Sequence, residues 1–199
     1  MSGANQSINI AFDIMGSDFS PVNEIEGALE FFKEHSKENI KLFFVGKEDV
    51  IRSEIEKYPK IKDYNFEIVN APQVITMNDD ASVALKSKKD SSISIGLDLV
   101  KEKKAVAFVS AGNTGAMLST STLKLGRING VSRPTIGSFF PTLKDNPTLI
   151  LDVGANSEVK PKYLYEFAVM GQIYLSEMYN IKNPTIGLLN IGEEEKKGN

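Results

Sequence analysis

Ser110-Ala111-Gly112-Asn113-Thr114-Gly115 is the stretch of this sequence best suited to chemistry. It combines two glycines with three side chains that can donate or accept a hydrogen bond. It follows the apolar run Ala105–Val109 and precedes Ala116–Thr120, which reads as a helix start. A strand, a small-residue turn and a helix N-terminus in that order leave backbone N–H groups unpaired and add a partial positive charge. Glycine lets a ligand approach the backbone closely. The product is an anion cradle, for which phosphate is the commonest guest. The spacing fits neither G-x-G-x-x-G nor G-x-x-x-x-G-K-[ST], so neither dinucleotide nor P-loop chemistry is indicated. The same residues also make an ordinary tight turn that binds nothing.

Other polar groups recur just past apolar runs: Asp13 to Asp18 with Gly16 between them, Asp152 to Asn156, and Asn190 to Glu194 with Glu193. Ligands of open parallel sheets sit outside the carboxyl ends of the strands, so four such ends are expected to converge on one cleft. Asp80 closes Met77–Asp80, and Lys88 and Lys89 follow in Lys86–Ser92. These lysines could hold a phosphate as point charges; a solvated charged loop is the plainer reading. Ser91 or Ser92 suits the N-cap of the next helix. The run Glu193–Lys197 reads equally as a solvated face.

The elements that must position these groups alternate. Strands are expected at Ile8–Phe12, Ile40–Val45, Asn65–Val69, Ala105–Val109, Thr135–Phe140, Thr148–Val153 and Pro184–Asn190. Helices are expected at Pro21–Phe32, Val50–Glu56, Leu97–Lys103, from Ala116 onward, and at Leu164–Met178. Short apolar runs flanked by helices predict an α/β fold around a buried, mostly parallel sheet. Residues 1–7 read as a flexible N-terminal segment, and 8–199 as the N-terminal portion of one α/β domain. A parallel fold is not expected to stop just after a strand, so the chain reads as part of a longer one.

Composition narrows the chemistry. The 199 residues are 41% apolar and 25% charged, with net charge −3 and no basic block, which argues against nucleic acid as a partner. No run reaches the roughly 18 apolar residues of a membrane span. Cysteine is absent, excluding disulfides, thiolate metal sites and a Cys nucleophile, and fitting a cytoplasmic location. The one histidine, His35, lies in the charged stretch Lys33–Lys37, a poor setting for a triad or a zinc site.

Taken together, Asp13–Asp18, Lys88–Ser92, Phe108–Gly115, Leu125–Ile128, Leu151–Asn156 and Gly187–Glu194 resemble the PlsX family of bacterial acyl-acyl-carrier-protein:phosphate acyltransferases. Order and spacing match from about residue 8 onward. The usual opening Asp-Ala-Met-Gly-Gly-Asp is altered here by Ile14 and Ser17, and Phe19 stands where a histidine is common. The resemblance implies a three-layer α/β/α sandwich like the isocitrate and isopropylmalate dehydrogenases and the phosphotransacetylases. It implies a dimer, peripheral contact with the inner face of the membrane, and transfer of an acyl group from acyl carrier protein to inorganic phosphate for phospholipid synthesis. It calls for no metal and no cofactor.

For that reaction the residues suggest roles. Phosphate itself is the nucleophile, positioned against the thioester. Asn113, Lys88 and Asp80 are the catalytic candidates. Asp13, Gly16, Asp18, Lys89, Ser110, Gly112, Thr114, Gly115, Asn156, Asn190 and Glu193 are the candidates for binding phosphate or substrate. Three other readings stay open: a phosphotransacetylase-like enzyme on acyl-CoA, a non-catalytic acyl-carrier-binding scaffold, and, by fold analogy alone, a decarboxylating dehydrogenase.

Overall fold

Ile40–Gly46, the second strand (β2), is apolar at nearly every position, and its two faces pack into different clusters. Ile40, Leu42 and Phe44 join Ile25, Ala28, Leu29 and Phe32 of helix α1 (Val22–Glu34) and Ile51 and Ile55 of α2 (Glu48–Ile55). Phe43 and Val45 face the opposite way, toward Ala11, Leu99 and Ala105. A strand buried on both faces belongs inside a parallel sheet covered by helices. The computed structural model shows that sheet; it describes residues 7–143, 146–156, 158–192 and 194. The expectation for residues 1–6 lies outside them.

The described chain forms two compact units, divided between Gly126 and Arg127. In the first, β2 pairs in parallel with β1 (Ile8–Asp13) and with β3 (Phe66–Asn70), and β1 pairs in parallel with β4 (Ala107–Val109). The order β3-β2-β1-β4 means that the chain builds outward from β1 in one direction, then crosses to its other side. A 3-10 turn, Pro59–Asp63, leads into β3. Helices α3 (Ala81–Ser87) and α4 (Ser92–Lys101) precede β4, and α5 (Thr114–Lys124) follows it. Gly96 lets α4 lie flush on the sheet, since a Cβ there would fall 2.2 Å from the Phe108 ring. The fold of this unit is the expected α/β arrangement.

The second unit holds an antiparallel pair, β5 (Gly137–Phe140) and β6 (Thr148–Leu151), in register Gly137 to Leu151 and Phe140 to Thr148. Helix α6 (Pro161–Tyr179) packs on β6, with Gly171 against Leu151. It begins with proline in its first turn and ends at Asn180 in the left-handed conformation, as helix chemistry favours. Two expectations are corrected here. Thr148–Leu151 pairs antiparallel with Gly137–Phe140 and does not join the parallel sheet, because the backbone that completes its hydrogen bonds is that of the preceding strand. Pro184–Asn190 forms no strand: no described residue pairs with it, and Leu188 and Leu189 are exposed. A strand exists only where a neighbouring backbone completes its hydrogen bonds.

Candidate active site

Where the strand order reverses, between β1 and β4, the loops that follow the two strands come together at the carboxyl ends of the strands, the position where open parallel sheets take ligands. Two of the four polar strand ends meet there. Asp13, the last residue of β1, is 1% exposed. Its Oδ1 accepts the Met15 N–H at 3.0 Å, and its Oδ2 accepts the Ser110 hydroxyl at 2.7 Å. Ser110 Oγ in turn accepts the Gly112 N–H at 3.0 Å. Burial pushes the Asp13 carboxyl above its ordinary range; hydrogen bonds from Ser110, Ser92 and Met15 oppose the rise without cancelling it. Gly16 closes the seam, since a Cβ there would lie 2.8 Å from the Gly112 nitrogen. Asp13, Gly16, Ser110 and Gly112 thus form one tie between two loops, and the Asp13 carboxylate is turned inward.

Asn113 is the N-cap of α5. Its Oδ1 accepts the Ala116 N–H at 2.9 Å, and its Nδ2 reaches the carbonyls of Thr76 and Asp79, both at 3.1 Å. The side chain is 8% exposed, and its hydrogen-bonding groups are taken by backbone. Beyond it, Thr114 and Gly115 are exposed at the first turn of α5. Their N–H groups precede any intrahelical acceptor and meet no acceptor among the described residues. These two amides, the Thr114 hydroxyl and the positive end of the helix are open donors at this end of the sheet. Exposed Asp18 sits on the loop after β1.

Asp80 caps α3, accepting the Ser82 and Val83 N–H groups at 2.8 and 3.0 Å and the Ser82 hydroxyl at 2.6 Å. These bonds, the Ser82 hydroxyl foremost, hold its carboxyl below the ordinary range. Lys88 is engaged too: its Nζ donates to the Val74 carbonyl at 2.8 Å and pairs with Asp79 at 2.6 Å. Asp79 also accepts the Thr76 N–H and hydroxyl. The Lys88 bond, followed by those from Thr76, brings its carboxyl down to about 2. Asp79 is the partner that sequence reasoning missed; its place one residue before a helix cap was the available signal. Lys89 is exposed and has no ion-pair partner among the described residues.

In the second unit, Asp152 accepts the N–H groups of Ala155 and Asn156 at 3.0 and 2.9 Å and the Asn156 Nδ2 at 2.8 Å. Asn156 Nδ2 also donates to the Pro134 carbonyl, so its side chain secures a turn. Asn190 Oδ1 accepts the Ile191 N–H at 2.8 Å. Glu193 lies outside the described residues. His35 pairs with Glu38 at the end of α1. Among the described residues no group of three His, Cys, Asp or Glu side chains could hold a metal ion, and no helix is long and apolar enough to cross a membrane.

Comparison with known proteins places this chain in a family. A relative named phosphate acyltransferase from Fusobacterium nucleatum is 50% identical over 192 residues, covering 96% of this chain and 57% of the relative. Another of that name, from Dictyoglomus turgidum, is 48% identical over 192 residues, with 96% and 56% covered. A third, from Clostridium novyi, is 45% identical over 195 residues, with 96% and 57% covered. The chain therefore spans a little over half the length of these curated relatives. The family described as fatty acid synthesis protein matches residues 8–199. With nearly its whole length matched, the chain belongs to that family, the PlsX family.

Proposed function

We propose that this chain supplies the phosphate-binding crevice of a phosphate acyltransferase, which moves an acyl group from the thioester of acyl carrier protein to inorganic phosphate. The single observation that supports this most strongly is the pair of open amides, Thr114 and Gly115, at the point where the strand order reverses, in a chain whose relatives are named phosphate acyltransferase. In the reaction a phosphate oxygen attacks the thioester carbonyl, a C–O bond forms, and the C–S bond breaks. The departing thiolate takes up a proton carried in by the phosphate, leaving acyl phosphate and free thiol. The chain needs no nucleophile of its own for this. It must hold phosphate in line and stabilise charge, which preorganised N–H donors do well.

In this reading the open donors of Thr114 and Gly115 touch phosphate. Asp13, Gly16, Ser110, Gly112 and Asn113 are positioning residues, because each is engaged by the backbone or by another member of the tie. Lys88 and Asp80 shape the Thr76–Ser87 segment behind the cradle. The protein works as a cytoplasmic homodimer that meets the membrane surface peripherally and supplies phospholipid synthesis.

Thr114→Pro tests the cradle. Proline is tolerated at the first position of a helix, and the extended Asn113 (ψ 112°) is compatible with a following proline. The variant removes one N–H and one hydroxyl while keeping the helix. An oxyanion donor of this kind is worth about 3 kcal/mol, so phosphate-dependent thiol release from acyl carrier protein is expected to fall ten-fold or more. Unchanged kinetics in a folded variant would remove Thr114 from the site. Wild-type release from acyl-CoA but not from the carrier protein would overturn the carrier assignment.

A further inference from the structure

A second feature of the first unit lies on the flank of α5, away from its N-terminus. Helices α3, α4 and α5 and the segments beside them border a cavity of about 180 Å³, lined by Ile75, Leu85, Ser94 and Thr120 and by the lysines Lys88, Lys89 and Lys124. At about 30 Å³ per water, this holds one tetrahedral oxyanion with a few waters. Ser94 and Thr120 are 4% and 3% exposed, and their hydroxyls make no hydrogen bond to a described residue. Each hydroxyl is therefore available to a group that fills the cavity.

The cavity is rich in donors and holds no carboxylate. An ammonium has three N–H groups. Lys88 uses two of them, on Val74 and Asp79, and Lys124 uses one, on Asp98. Lys89 has no ion-pair partner among the described residues. The two paired lysines balance their carboxylates, which leaves Lys89 as the uncompensated positive charge. Unused donors, two free hydroxyls and one net positive charge around a partly open pocket select an acceptor-only anion. Apolar Ile75 and Leu85 limit water competition on the remaining walls.

We infer that this cavity is a second oxyanion site, specific for a phosphoryl-type anion and separate from the cradle at Thr114 and Gly115. The anion is bound by Lys89, the spare N–H groups of Lys88 and Lys124, and the hydroxyls of Ser94 and Thr120. Two sources share this chemistry, inorganic phosphate and the phosphoryl group of a larger ester.

The test is calorimetric titration of the whole protein with inorganic phosphate and, separately, with phenyl phosphate. Variants are Lys89→Ala, Thr120→Val and Ser94→Ala, with Thr114→Pro run alongside. Thr120→Val keeps shape and deletes only the hydroxyl; Lys89→Ala changes an exposed side chain and leaves the fold alone. The expected result is a binding event that survives Thr114→Pro and weakens ten-fold or more in Lys89→Ala and in Thr120→Val or Ser94→Ala. If only phosphate shows this event, the free anion is the ligand; if only the ester does, the ligand is larger. Absence of any event sensitive to Lys89 overturns the inference. Loss of thiol release in Thr114→Pro alone bears on the cradle and leaves the second site untouched, so the two readings fail separately.

Discussion

The same chemical change, glycine to alanine, is expected to act with opposite sign at two positions of this fold. At Gly16 the new methyl would stand 2.8 Å from the Gly112 nitrogen, 3.0 Å from Asp13 Oδ2 and 3.2 Å from Ser110 Oγ. The nearest atom is backbone, so relief requires the loops after β1 and β4 to separate. Overpacking of this kind costs about 1–3 kcal/mol, and separation also stretches the Asp13–Ser110–Gly112 hydrogen bonds. At Gly27, exposed in the middle of α1, a Cβ meets nothing within 4 Å. There alanine gains only its better helix propensity, about 0.8–1 kcal/mol of added stability. Urea unfolding of both variants beside the wild type, with unchanged slope, reads the two effects directly. Gly16→Ala is further expected to weaken phosphate binding at the cradle, whereas Gly27→Ala leaves it unchanged. Equal shifts of one sign, or a Gly16 variant of wild-type stability, would refute the claim that the two loops are pinned by close backbone approach.

Ser110→Ala removes the hydroxyl between a buried carboxylate and an amide, and a hydrogen bond to a charged group is worth about 1.5–3 kcal/mol; a loss of about 2 kcal/mol in denaturant unfolding is expected. Asn113→Ala loses a helix cap, about 0.5–2 kcal/mol, and orphans the Thr76 and Asp79 carbonyls; Asn113→Asp keeps the cap but turns an oxygen toward those carbonyls, so neither variant should reach wild-type melting temperature. Asp79 is lowered from 3.8 to about 2 in the fold. Its contribution to stability is therefore present above pH 3.8 and lost as pH falls through about 2, and Asp79→Asn should flatten the stability profile in that window. Asp13 is raised, so its contribution runs the other way, with stability falling as pH climbs above 3.8, and Asp13→Asn should remove that decline.

Most of the first unit was legible because its cause is local. The two-faced apolar run of β2 and the alternation of strands and helices carry the parallel sheet in plain view. The turn from β4 into α5 was legible too, as glycines between a strand and a helix start. The hydrogen-bond partners of Asn113, Lys88 and Asp80 were harder to read. The three residue types fit catalysis, but each is engaged by a backbone group or by Asp79, and such partners depend on three-dimensional proximity that spacing does not encode. Helix α3 escaped because seven residues hold too little periodicity to stand out from a charged loop. In the second unit, Thr148–Leu151 and Pro184–Asn190 carry the same apolar, β-branched signal, yet only the first pairs. Propensity marks a candidate strand; a neighbouring backbone decides it.

The tie between Asp13 and Ser110 joins residues 97 positions apart in the chain. At a ribosomal pace of roughly 5–20 residues per second, the first strand waits about 5–20 s for the partner that completes the crevice. Until then its carboxylate has no reason to be buried, and β1 remains an open template on the side that β4 will occupy. Occupancy of the proposed cradle would consequently be a late event in the life of the nascent chain. The proposed anion-binding geometry cannot precede closure of the sheet, so ligand binding at that cradle would report on completion of the whole first unit rather than on any segment of it.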